Sequence, residues 1–174
     1  ARAFLSEEGA IALRLVRAKR ALRDESVSFG MPEGRQLSLR LDSVIDALYL
    51  MFNEGYTATS GDQLVRDDVA FEAIRLTRMV AAHPETRSPR AWALLSLMLL
   101  HAARFPSRTG AGGALFLLRD QDRSQWDRAL IAEGLTALDR SASGDAITPQ
   151  HLEAGIAACH AAAASWEGTD WPQI

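Results

Sequence analysis

The sequence predicts an all-α chain: a helix-turn-helix remnant followed by a TPR-like array of antiparallel helix pairs. Three observations predict it. Apolar residues recur at helical spacing in six segments, not at the alternating spacing of strands. Ser88-Pro89 and Thr148-Pro149 stand before two of those segments, where a helix start takes an N-cap and a proline at its first position. Neighbouring helices meet through short joints with small residues at the crossing points, as in repeats that stack helix pairs. An irregular helical bundle satisfies the same periodicity.

The elements follow in order. Ala1 to Leu5 is a short apolar stub. Ser6-Glu7-Glu8 reads as an N-cap with first-turn acids, which favour a helix start. That helix is expected to run to about Asp24, with Ile11, Leu15, Ala18 and Leu22 as one apolar seam. Residues 25–36 contain Gly30, Pro32 and Gly34 and are expected to form a linker. A second domain, residues 37–174, opens with Leu41, Val44, Ile45, Leu48, Tyr49 and Phe52 on one helical stripe. Gly55 and the Thr57–Asp62 run are expected to end that helix. Val65 to Ala82 forms the next, with Phe71, Ile74 and Val80 inward and Arg66, Arg75 and Arg78 outward; His83-Pro84 stops it.

The segment opened by Ser88-Pro89 is apolar nearly all round from Trp92 to Leu100, the pattern of a central buried helix. It closes near Phe105-Pro106, and Thr109 to Gly113 reads as a flexible loop. Ala114 to Leu118 fits either a short strand or an extended segment. A fifth helix is expected over Ser124 to Ser141, with Trp126, Leu130, Ile131, Leu135 and Leu138 apolar. The last follows Thr148-Pro149, with Leu152, Ile156, Cys159 and Ala163 as its inner stripe.

Composition narrows the function classes. Among 174 residues, 48% are apolar and 24% charged, an ordinary globular balance without low-complexity tracts. The net charge of −3 is unevenly placed. Residues 1–24 carry six basic groups against three acidic ones, and acids dominate the remainder. Only the first helix is therefore expected to approach nucleic acid; the acidic body suits protein or small molecules. No apolar run is long enough for a bilayer, so no membrane partner is expected. Cys159 is the single cysteine, which excludes an internal disulfide and a cysteine-based zinc site and suits a reducing cytoplasm. No His-Glu-x-x-His or Gly-x-Ser-x-Gly pattern appears, and Gly110-Ala111-Gly112-Gly113 lacks the lysine of a phosphate loop. No catalysis, metal or cofactor is expected, and each histidine reads as structural.

The segment from Gly9 to Leu22 is the most informative. Gly9-Ala10-Ile11, Arg14-Leu15, Arg17-Ala18-Lys19 and Leu22 reproduce, in order, the pattern of the recognition helix of region 4 in bacterial extracytoplasmic-function sigma factors. The body resembles the long C-terminal extension of one subgroup of these factors. The matching stretches are Arg40-Leu41, Leu48 to Tyr56, Glu72 to Leu76, Leu97 to Arg104, Leu117 to Asp127, Ile131 to Gly134 and Thr169-Asp170-Trp171. The resemblance covers the end of region 4 and the extension; region 2 and the first two helices of region 4 have no counterpart here.

The resemblance implies a promoter −35 recognition helix at residues 1–24, with Arg14, Arg17, Lys19 and Arg20 on DNA. Ala12 and Leu13 stand where these factors often carry polar base-facing groups, so the arginines are expected to position on phosphates. It also implies that the body is a helical regulatory module controlling sigma activity or RNA polymerase engagement. The implied partners are the RNA polymerase core, promoter DNA in the full-length factor, and a YCII-like (DGPF) protein. Two polar clusters border the apolar helices and are candidates for a groove that binds a ligand or peptide. One is Asn53, Glu54 and Tyr56, together with His101 and Arg104; the other is Gln121, Asp122 and Arg123. Helix termination explains several of them equally simply: Asn53 and Gly55 suit a C-terminal cap, and Asp122 an N-terminal one. A TPR-like scaffold that binds a protein or peptide without a DNA role is the alternative reading.

Overall fold

The computed structural model describes residues 6–25, 30, 32, 34–57, 65–110 and 114–174. The fold is all-α, with six helices and no strand among the described residues. They are α1 (Glu8–Asp24), α2 (Arg35–Tyr56), α3 (Asp67–Ala82), α4 (Pro89–Ala102), α5 (Arg128–Ser141) and α6 (Pro149–Ala162). Short 3-10 turns lie at Phe105–Ser107, Leu118–Asp120 and Arg123–Gln125. The chain divides into two compact units, residues 1–37 and 38–174. The stub at 1–5 and much of the expected linker lie outside the described residues, as do most of the Thr57–Asp62 run and positions 111–113.

In the first unit, α1 buries none of its residues. Its N-cap is Glu7, one position after the expected Ser6, and Glu7 makes no side-chain cap. Leu15, Val16 and Leu22 are all more than half exposed.

The second unit is built on α4, which packs against α3, α5 and α6. Ser88 caps α4 by accepting the Ala91 N–H at 3.1 Å, and Pro89 occupies its first turn. Ten of its fourteen residues are buried, Leu94, Leu95, Met98, Leu99 and Leu100 almost completely. Ile45, Leu48 and Phe52 of α2 join the same core. On the surface, Arg90 pairs with Asp42 at 2.7 Å and with Asp46, one helical turn further along α2.

Several expectations need correction, and most fail for one reason: helices that approach α4 closely present small residues to it. The buried face of α3 is Ala70, Ala73, Ile74, Thr77 and Ala81, while Phe71 lies 44% exposed. The buried face of α6 is Gln150, Ala154, Ala158 and Ala161, and the expected stripe residues Leu152 and Ile156 point outward. Val44 of α2 is also exposed. Gly55 does not cap α2, which continues to Tyr56. A Cβ at Gly55 would meet the Ala70 backbone nitrogen at 2.5 Å, so glycine is required for close approach to α3. The fifth helix starts at Arg128, with Asp127 accepting from the Ala129 and Leu130 N–H groups. Ala114 to Leu118 is no strand; Thr109 and Leu115 form one isolated bridge.

Candidate functional site

The helix-end chemistry of α2, α4 and α6 assembles the polar centre of the second unit. Helices end with carbonyls that lack intrahelical partners and attract donors and positive charge. Arg108 meets that need at α2: it donates to the Tyr56 carbonyl at 2.6 Å and to Thr57 Oγ1 at 3.0 Å. Its guanidinium carbon lies 3.3 Å from the Tyr56 ring centroid, a cation–π contact. Arg123 does the same at α6, donating to the His160 carbonyl and to the Ala163 carbonyl at 2.8 Å. It also lies over the Trp126 ring.

Arg104 differs from both. Its Nη2 donates to Tyr56 Oη at 2.7 Å and to His101 Nδ1. Neither partner is a helix-end carbonyl or a carboxylate. Arg104, Arg108 and Arg123 are each only 8% exposed, and none takes part in an ion pair among the described residues. Buried arginines are usually paired, because desolvating an uncompensated charge is costly. Burial lowers the pKa of all three guanidiniums.

Two histidines register this field. His101 stacks edge-on against Tyr56, with centroids 4.9 Å apart. Burial first, then Arg104 and Arg108, push its pKa down to about 3. The neutral ring accepts from Arg104 at Nδ1, which places its proton on Nε2. His160 sits in a cage of Trp166 and Trp171, and its pKa is lowered by burial, Arg104 and Arg123. On the α2 side, Tyr49 donates to Glu153 Oε2 of α6 at 2.9 Å. Burial, and then this bond to Glu153, raise the Tyr49 pKa.

Two cavities open on this centre. One, of about 180 Å³, is lined by Tyr49, Phe52, Asn53, Tyr56, His101 and Glu153. The other, of about 380 Å³, is lined by His101, Arg104, Leu118, Glu153, Ile156 and His160. His101 and Glu153 border both. No group of three metal-ligating side chains occurs among the described residues.

Of the residues singled out in sequence, Asn53, Tyr56, His101 and Arg104 line these cavities, and Arg123 joins the polar centre without lining either. Glu54 and Asp122 line neither cavity. Gln121 donates to the Phe116 carbonyl, and Asp122 caps the 3-10 turn at Ser124. Arg14, Arg17, Lys19 and Arg20 are exposed along α1, where Arg20 lies 3.8 Å from Asp24. Sequence reasoning missed Arg108, Tyr49, Glu153 and the part His160 plays. The Arg104–Arg108 spacing was a usable signal beside an apolar helix. Tyr49 and Glu153 are 104 positions apart and carried none.

Comparison with known proteins gives the chain a family and no activity. An uncharacterized protein of Rhizobium meliloti (strain 1021) is 39% identical over 178 residues, a match that covers 100% of this chain. The chain spans 41% of that relative's length. No solved structure matches. Residues 40–142, more than half the chain, match a family of unknown function. The chain belongs to that family, DUF6596.

Proposed function

We propose that this chain is the C-terminal part of a bacterial extracytoplasmic-function sigma factor. In that reading α1 is the promoter −35 recognition helix, and the second unit is a helical regulatory domain acting on sigma activity or RNA polymerase engagement. The observation that carries it is the exposure of Arg14, Arg17, Lys19 and Arg20 on a helix that buries nothing. Arginines so placed can reach phosphates without rearrangement of the chain. The exposed apolar seam of Leu15 and Leu22 suits a helix held by partner helices in a helix-turn-helix. The family match is compatible with this reading and names no activity.

The test uses the full-length factor and promoter DNA. Arg14→Ala with Arg17→Ala weakens binding and reduces the slope of log affinity against log salt by about 2, one unit for each lost phosphate contact. Unchanged affinity and slope remove α1 from the DNA.

The second reading, a TPR-like protein- or peptide-binding scaffold, is favoured by α4 packing against three neighbouring helices in the body. Deleting residues 37–174 from the full factor separates the two. Transcription that persists unaltered denies the body any regulatory part.

A further inference from the structure

The cleft of about 380 Å³ beside α4 and α6 falls within the size range of small-molecule sites, about 300–1,000 Å³. Its walls are of two kinds. Leu118, Ile156 and Ala157 are apolar, while Arg104, His101, His160 and Glu153 are polar. Arg104 is the chemically unfinished group that lines the cleft; Arg123 also keeps a buried Nη2 without a partner among the described residues, but it does not border the cleft. Its Nη2 bonds are made to a neutral phenol and a neutral imidazole. Its Nε, fully buried, has no hydrogen-bond partner among the described residues. Arg108 and Arg123 face the negative ends of α2 and α6, which compensate part of their charge. Arg104 donates to no helix-end carbonyl among the described residues. A guanidinium nine-tenths buried, bordering a cleft, without an ion-pair partner among the described residues is the pattern of a site completed by an anionic ligand.

We propose that this cleft binds a small organic carboxylate, with its negative group on the Arg104 guanidinium and its apolar body against Leu118, Ile156 and Ala157. The apolar wall favours a carboxylate carrying a hydrocarbon body over inorganic phosphate, which would leave that wall unused. Glu153 works against an anion, but its carboxylate already accepts from Tyr49. Burial first, and then the neighbouring Arg104 charge, lower the pKa of both histidines. The site stands on the cleft and its charges alone. It holds whether the second unit regulates a sigma factor or serves as a scaffold, and in the first case it supplies the ligand class to which that regulation responds.

The test is calorimetric titration of the 174-residue chain with sodium benzoate, with benzamide and with inorganic phosphate. Benzoate binds about tenfold tighter than its neutral isostere, the margin of one charge-assisted hydrogen bond. Arg104→Met removes the difference while far-UV circular dichroism stays helical. Glu153→Gln tightens benzoate by removing the like charge. Should Arg104→Met fail to fold, Ile156→Trp, which fills the cleft from a 42% exposed position, abolishes benzoate binding instead. Equal affinity for benzoate and benzamide, phosphate binding without benzoate binding, or no binding to the folded chain overturns the proposal. A lost DNA effect in the α1 double variant leaves this result untouched, so the two readings fail separately.

Discussion

Helices α1 and α4 make opposite use of their apolar residues. α1 exposes Leu13, Leu15, Val16 and Leu22 and buries nothing, whereas α4 buries ten of its fourteen residues. The arginines divide the same way. Those of α1 stand in solvent; Arg104, Arg108 and Arg123 of the second unit are buried, two of them on helix-end carbonyls. The difference teaches where energy and chemistry reside. Stability belongs to α4 and what packs on it. On the proposed readings, charge for a macromolecule belongs to α1 and charge for a small ligand to the α4–α6 cleft.

The largest expected effect therefore sits in α4. Leu94 has no exposed surface and contacts the main core, so Leu94→Ala costs about 3 kcal/mol through lost burial and the cavity left behind. Urea denaturation followed by circular dichroism reads it. Leu15→Ala in α1 changes the same transition by no more than about 0.5 kcal/mol, as expected for an exposed position. Equal losses at the two sites would erase the distinction between the helices.

The same glycine-to-alanine change carries opposite signs in the two regions. At Gly55 the new Cβ meets the Ala70 backbone at 2.5 Å, which a side-chain rotation cannot relieve. Gly55→Ala costs about 2 kcal/mol by overpacking α2 against α3. Gly9 in α1 has nothing within 4 Å of that position. Gly9→Ala raises helix content, by up to about 1 kcal/mol of propensity. Thermal melts of the two variants should move in opposite directions.

These two glycines also show how far the sequence was legible. The all-α class followed from periodicity, and α4 announced itself by being apolar all round. The starts at Ser88-Pro89 and Thr148-Pro149 were readable because capping is a local property. Ile74 and Val80 of α3 were placed inward correctly, but Phe71 and the α6 residues Leu152 and Ile156 were misread because bulky residues were assigned inward, yet close helix approach selects alanine. Gly55 was mistaken for a cap because a glycine that admits a neighbouring helix looks, in sequence, like one that ends its own. The site was half legible. Tyr56, His101 and Arg104 stood beside apolar helices, but Glu153 reaches Tyr49 through tertiary packing alone.

Acid sharpens the comparison further. His101 titrates near 6.5 when unfolded and is held down to about 3 in the folded chain, so the unfolded state binds the proton first. The stability His101 contributes is complete above pH 6.5 and is lost as pH falls from there toward 3. His160 is shifted in the same direction and adds to the trend. Moving from pH 7 to 5.5 costs on the order of 1 kcal/mol from His101. His101→Asn, which keeps an acceptor for Arg104, flattens that slope in denaturation series at each pH. An unchanged slope would place the acid sensitivity elsewhere.

The smallest effect is the one that isolates α1. Arg14 and Arg17 are exposed and make no ion pair among the described residues, so replacing both by alanine leaves stability within about 0.5 kcal/mol. Alanine's higher helix propensity offsets what little the side chains lose. The double variant should melt with the parent chain. A drop of several degrees would mean that these arginines bond within the folded chain. Any loss of DNA binding would then reflect structure and not phosphate contact. A matched melt with weakened, less salt-dependent DNA binding would assign the two side chains to the nucleic acid alone.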